Sequence, residues 1–325
     1  MMVWRRTVFL APLGLAALLA ALAAPLVTTA ARPSPQQAPA VRPSAQQAPA
    51  AWPLVAWKPV PNNPVFAGTG RDTWDRKIRE RGYILAGDDG IFHLWYTGYA
   101  GDRPATMSLG HATSPDGVHW ARDPENPIFS GSWVEDMCVV RRDGTYFMFA
   151  EGKNDIAHLL TSADGRKWTD HGSLDIRKTD GTPIDPGPYG TPTAWFENGT
   201  WYLFYERGDQ GIWLATSTDL KVWTNVQNDP VIAMGPEPYD KAAVAVNQVV
   251  QRDGFYYAFY HANSQRPWKD WTTCVARSRD LVHWEKYPGN PIIQNNCSSA
   301  ILVRTPQGED RLYTMHPDVK VFVPK

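Results

Sequence analysis

The sequence has little cysteine: three residues in 325, Cys138, Cys274 and Cys297. In an exported chain an odd count leaves at least one thiol unpaired; Cys274 and Cys297 could pair, but spacing alone does not establish it. No Cys/His cluster has zinc-ligand spacing, which argues against a structural zinc site. Charge of one sign is also missing. The net charge is −1 with charges spread evenly, so neither a basic stripe nor an acidic tail points to nucleic acid or a polyanionic partner. Helix-forming runs are few. What the chain does have is aromatic and turn-forming: 15 Trp, 13 Tyr, 25 Gly and 28 Pro. Such a composition reads as all-β.

One long apolar run, Phe9 to Val27, follows Arg5 and Arg6 and precedes small residues, "VTTAAR". Residues 1–31 therefore read as a signal peptide cleaved near Ala30, with an uncleaved membrane anchor as the alternative. "RPSPQQAPAV" and "RPSAQQAPA" then form a Pro/Ala/Gln spacer, taken as 32–51, with no means to bury a core. The folded domain is expected over 52–325, working outside the cytoplasm.

That domain repeats itself. "TSPDGVHW" (113–120), "TSADGRKW" (161–168), "TSTDLKVW" (216–223) and "RSRDLVHW" (277–284) share Ser-x-Asp-[Gly/Leu]-x-x-Trp. Soon after the Trp comes a second motif: "NPIF" (126–129), "DPVI" (229–232) and "NPII" (290–293), with "SLDI" in the second repeat. The same tail stands alone near the start, Trp57 followed by "NPVF" (63–66), while the C-terminal stretch begins a repeat that never reaches its Trp. Intervals of this size indicate propeller blades. The economical arrangement is a five-bladed β-propeller of four-stranded blades, closed by an N-terminal strand that completes the C-terminal blade. Each repeat supplies an apolar first strand, an aromatic second strand, a third leading into Ser-x-Asp, and a fourth near Trp. Asp116, Asp164, Asp219 and Asp280 are expected to fix turns by accepting backbone N–H groups, because four equivalent copies around a ring cannot converge on one site.

Chemistry is sought instead where the blades differ. The start of strand one and the end of strand two share one mouth of the channel. Asp75, Glu135, Asp136, Asp185 and Asp240 mark the entries to strand one. Tyr99, Glu151, Glu206, His261 and His316 mark the exits of strand two. Arg76, Lys77, Arg79 and Arg81 form a basic run that reads as a solvated loop.

The aromatic strand, the Ser-x-Asp-Leu-x-x-Trp turn, the Asn-Pro-Ile tail and the blade count resemble the five-bladed glycosidases of glycoside hydrolase families 43 and 32, across residues 52–325. The resemblance implies three carboxylates, one from each of the first three blades. By position these are Asp75, Asp136 and, in place of a Glu that "YGTPTAWF" lacks, Glu206, with Asp185 and then Glu151 as further choices. It also implies sugar contacts from Trp74, Trp133, Tyr99, Glu135, Glu151, Asp240, His261 and His316, with His261 a candidate acid. The function expected is an exported, monomeric glycoside hydrolase acting on a poly- or oligosaccharide, in which a raised-pKa acid and a second carboxylate divide the work. Two alternatives stand beside it: a non-catalytic glycan-binding propeller, and a glycoside phosphorylase. No cofactor is required; a structural Ca²⁺ near His261 or His316 is compatible with the sequence, although no ligand spacing demands it.

Overall fold

The computed structural model describes residues 51–79, 81–101 and 107–325. The leader and spacer assigned to 1–31 and 32–51 lie outside the described residues, except for Ala51. Five antiparallel sheets follow one another along the chain in a ring. The ring positions the site, so its construction matters more than its details.

Blade two is the simplest. Glu135–Arg142 pairs with Thr145–Gly152, which pairs with Ile156–Ser162, which pairs with Thr169–Ser173. The turn between the first two strands is Asp143-Gly144, both residues at positive φ, as a tight hairpin requires. Blade four repeats this plan with Ala243–Arg252, Phe255–Asn263, Thr272–Ser278 and Trp284–Lys286. Blade three, built on Gly190–Glu197, Thr200–Glu206, Gly211–Ser217 and Val222–Asn225, gains Asp175–Arg177 as a parallel outer strand. Blade one has an interrupted inner strand: Lys77–Ile78 and Tyr83–Ala86 both pair with Phe92–Tyr99.

Blade five closes the ring. Ile301–Arg304, Asp310–Thr314 and Lys320–Pro324 are joined by Trp57–Pro59, with Trp57 opposite Pro324 and Pro59 opposite Phe322. The orphan tail at the start of the folded region is thus the missing strand of the last blade, as its sequence implies, and no strand edge is left at the seam.

The two repeated motifs are structural. In blade two, Asp164 Oδ1 accepts from the N–H groups of Arg166 and Lys167, both at 2.8 Å, and from Ser162 Oγ. The Lys167 N–H bond, ahead of the other causes, holds its carboxyl below the usual carboxylate range. Asp116, Asp219 and Asp280 repeat the arrangement. The motif's Trp then meets the preceding blade: Trp168 packs edge-on against Trp95, Trp223 against Phe149 and Trp284 against Phe204. The Asn of the second motif imitates a strand. Asn126 Oδ1 accepts from His111 N–H while its Nδ2 donates to His111 C=O; Asn63 does the same to Val321 and Asn290 to Val275. "SLDI" in the second repeat keeps part of this role, because Leu174 N–H still donates to Ala157 C=O.

All three cysteines are buried and free, so Cys274 and Cys297 do not form a disulfide.

Candidate active site

The first strands line the channel, and they are kinked where a flat strand would be expected. Bulges interrupt the pairing between Glu135 and Cys138, between Gly190 and Thr193, and between Val246 and Gln248. Asp136 (45°) and Thr191 (44°) within two of these kinks, and Arg81 (44°) and Ser299 (59°) just before the inner strands of blades one and five, have positive φ. Such values are uncommon outside glycine, and for a β-branched Thr they are a true outlier. Conformations of this kind persist only when surrounding structure over-determines them, and bulges re-aim side chains next to active sites.

At the kinks of blades two and three, Arg81 supplies such structure. Its side chain is completely buried (0 % exposed). Starting from blade one, its guanidinium donates to the carbonyls of Asp136, Pro192 (2.6 Å) and Val246 (2.8 Å) and to Thr193 Oγ1 (2.8 Å). A single cation therefore ties blade one to blades two, three and four across the channel. Burial lowers its pKa, while the nearby charges of Asp136, Cys138 and Glu151 oppose that shift. An arginine stays charged even so, so the site contains a fixed buried positive charge. This corrects the sequence expectation that the basic run is a solvated loop. Arg79 departs from it too, since its Nε lies 3.0 Å from Glu135 Oε2 and it lines the pocket.

The pocket, about 160 Å³, opens at the mouth formed by the strand-one entries and strand-two exits. Its acidic wall is Asp136, Glu151 and Glu206, joined by Asp155 and Asp209 from the turns that follow strand two of blades two and three. Its other wall is His261, Trp268 and Trp271 of blade four. Glu151 Oε2 accepts from Thr191 N–H (2.7 Å) and Oγ1 (3.2 Å), which is what the kink at Thr191 makes available. Glu206 Oε1 accepts from Gly190 N–H (3.1 Å), and its Oε2 accepts from Asp209 N–H. Gly190 explains how the two glutamates meet: a Cβ there would lie 2.2 Å from Glu151 Oε2 and 2.8 Å from Glu206 Oε1. A side chain there would have to push a carboxylate aside.

Burial and mutual repulsion retune this cluster. Burial pushes the Glu206 carboxyl up to about 7, with Asp209 and Asp155 adding to it. Burial also raises Glu151 well above its ordinary value, reinforced by Asp136 and Glu135. Like charges held this close cannot all be ionised. At neutral pH the cluster therefore holds protons, with a buried cation beside Asp136. Such a cluster can place a proton donor beside a second carboxylate, the arrangement that glycosidic cleavage uses.

Of the residues singled out from sequence, Asp136, Glu151, Glu206 and His261 come together here. His261 Nδ1 lies 2.9 Å from Asn247 Nδ2, and its ring meets Trp271 edge-on. The structure does not bring Asp75 to them. Its carboxylate is buried against blade one, 2.7 Å from Arg122 Nε, and accepts from Tyr96 OH (3.1 Å) and Thr73 Oγ1 (2.9 Å). Trp74 stacks on Tyr96 at 5.8 Å and fills the space above Gly98 and Gly110. Tyr99 stands opposite Lys77, away from the pocket lining. Glu135 accepts from Trp133 Nε1 (2.7 Å) as well as pairing with Arg79, so both Glu135 and Trp133 brace the rim. Asp240 is bound to Lys286 (2.6 Å) between blades three and four. His316 forms a lone bridge with Ser298, and Asp185 is exposed beside Lys178. Among the described residues no group of three or more His, Cys, Asp or Glu is arranged to hold a metal. Sequence reasoning missed Arg81, Thr191, Asp155, Asp209, Trp268 and Trp271. The signal for Trp268 and Trp271 was present, as two tryptophans in a polar loop, "RPWKDW".

No family model matches the chain. It is 22 % identical over 281 residues, 76 % of this chain and 90 % of the other, to the 1,2-beta-oligomannan phosphorylase of Thermoanaerobacter sp. (strain X514). It is 31 % identical over 162 residues, 45 % of this chain and 48 % of the other, to "Probable arabinan endo-1,5-alpha-L-arabinosidase A" of Aspergillus fumigatus. In fold it matches a structure from the GH130 family of mannoside phosphorylases, a family containing hydrolases of β-1,2 mannosidic linkages in Candida mannan. That likeness has a TM-score of 0.66 at 17 % identity and covers 85 % of this chain and 95 % of that one. These likenesses bear out the resemblance to five-bladed-propeller glycosidases. Together they support a glycosidase-type enzyme with a glycoside-cleaving role.

Proposed function

We propose that the protein is an exported glycoside hydrolase acting on oligosaccharides, with β-1,2-linked mannosides the first substrates to try and α-1,5-arabinans the second. The observation that carries hydrolysis is the cluster itself: Glu206, held protonated to about pH 7, beside Asp136 and Glu151 in one pocket. Glu206 protonates the leaving oxygen. Asp136, the charge that acts most strongly on Arg81, is the member assigned to activate water. Glu151 holds the shared proton in reserve and fixes the Thr191 kink. Export rests on the N-terminal leader pattern, and carbohydrate is the only partner the reading requires.

Phosphorolysis is the second reading, favoured by the name of the oligomannan relative. It needs a cationic phosphate site. The guanidinium lining this pocket, Arg79, is paired with Glu135, and five carboxylates share the lining with it. A phosphate dianion would enter against that field. The deciding experiment incubates the protein with β-1,2-mannobiose and α-1,5-arabinobiose, with and without inorganic phosphate, and follows free sugar and sugar phosphate. Release of free sugar alone, at a rate indifferent to phosphate and lost in Glu206→Gln, supports hydrolysis. Sugar 1-phosphate as product sinks it.

A further inference from the structure

The connection between strands two and three differs sharply among the blades that form the pocket. It spans 153–155 in blade two, 207–210 in blade three and 264–271 in blade four. The longest carries both tryptophans of the pocket wall. Long loops on rigid scaffolds are where binding surfaces are built.

The two rings differ in role. Trp271 is buried, 8 % exposed, and packs edge-on against His261 with ring centroids 4.9 Å apart. Trp268 is 38 % exposed, and its centroid lies 5.7 Å from that of Trp271. The Arg266 guanidinium stands 4.2 Å from the Trp268 ring centroid. Arg266 stands over the outer ring and Trp271 leans on it at a tilt of 32°, while over a third of its surface stays open beside an acidic pocket. A large apolar ring left open at a polar site is a place where a partner with an apolar face recovers burial. Sugars have such a face in their ring C–H groups, with hydroxyls around the edge free to reach carboxylates. A uronic acid would bring a like charge to Asp136, Glu151 and Glu206, so the fit is to a neutral sugar. Trp268 stands at the open rim, so it meets a unit farther out than the one seated against the glutamates.

We propose that the blade-four loop is a sugar subsite in which Trp268, beside Trp271, stacks on a neutral sugar unit beyond the bond being cleaved. This rests on the glycoside-cleaving reading and selects its substrates by ring face rather than by charge.

The test uses the full chain as Glu206→Gln, which binds without turnover, and the same protein carrying Trp268→Ala or Trp268→Phe. Binding of β-1,2-mannobiose, α-1,5-arabinobiose and kestose is measured by calorimetry and tryptophan fluorescence. At least one sugar should bind and quench fluorescence, with affinity about tenfold weaker in Trp268→Ala and largely restored in Trp268→Phe. With Glu206 intact, Trp268→Ala should raise KM by a similar factor and leave kcat within about twofold. Equal affinities with and without the ring overturn the subsite and leave the proposed function standing. Failure of every sugar to bind any of the proteins overturns the proposed function, and the subsite with it.

Discussion

Glu206 and Asp75 are both buried carboxylates near the start of the channel strands, and the structure gives them opposite characters. Asp75 has a cation and two hydroxyls in contact, and it belongs to the scaffold. Asp75→Ala should therefore cost about 3 kcal/mol of stability, the scale for breaking a buried pair. Activity per folded molecule should be retained, which denaturant unfolding and active-site titration would check together. Glu206 is buried and accepts from the N–H groups of Gly190 and Asp209, and burial dominates, so its proton is held longer in the folded state than in the unfolded chain. Below pH 4.5 both states are protonated and it has no effect on stability. As pH rises from 4.5 towards about 7 the unfolded state loses the proton first, so stability falls, by about 3 kcal/mol at most, and then levels off. Glu206→Gln should flatten that slope in unfolding measurements between pH 4.5 and 8. In kinetics, kcat/KM should fall above about pH 7 in the native enzyme, and that limb should vanish in the Gln variant along with roughly 10²–10⁴ of the rate. A native profile that is flat from pH 5 to 9 would remove Glu206 as the acid.

At the scale of the element, the turns were readable and the kinks were not. The Ser-x-Asp turn is written in local chemistry: a hydroxyl and a carboxylate satisfying N–H groups two and three residues away, then a Trp for the neighbouring blade. Short-range rules of this kind survive in sequence. Replacing Asp164 with Ala should cost about 1–2 kcal/mol in denaturant unfolding, from N–H groups left unpaired, and should leave kcat/KM unchanged, because that turn lies on the face opposite the pocket. The inner strands obey long-range terms. Nothing around Arg81 in "RERGYIL" announces that its guanidinium will meet Pro192 and Val246, more than 100 positions away, so its charge was read as solvated. Likewise Asp75 sits at the entry where blade one would be expected to offer a catalytic carboxylate, and Arg122, on the fourth strand of the same blade, turns it into a brace. Glu151 and Glu206 were legible as ends of aromatic strands; that they meet across Gly190 was not.

At the scale of the molecule, the blade count and the seam came from the displaced "NPVF" tail, and Asn63 bridges that seam to Val321, 258 positions away. Removing residues 51–66 should leave Lys320–Pro324 as an open edge. The truncated chain should then unfold at a lower temperature and self-associate with concentration, which scanning calorimetry and light scattering would detect. A truncated chain that stays monomeric with an unchanged transition would mean that the seam contributes nothing. The pocket draws on blades two, three and four, with Arg79 of blade one on its lining and Arg81 crossing from blade one, so the site depends on the ring as a unit rather than on any single repeat.

The seam also sets an order of events during synthesis. Trp57–Pro59 emerges before the other four blades and must wait for its partner, Lys320–Pro324, which emerges after them. Four blades can collapse on the way, but the fifth cannot be finished until Lys320–Pro324 is free. If the chain is threaded through a membrane, the ring can close only after Lys320–Pro324 has arrived on the far side. An interrupted chain then exposes an unfilled strand edge, and a quality-control protease can distinguish it from a finished molecule by that edge alone.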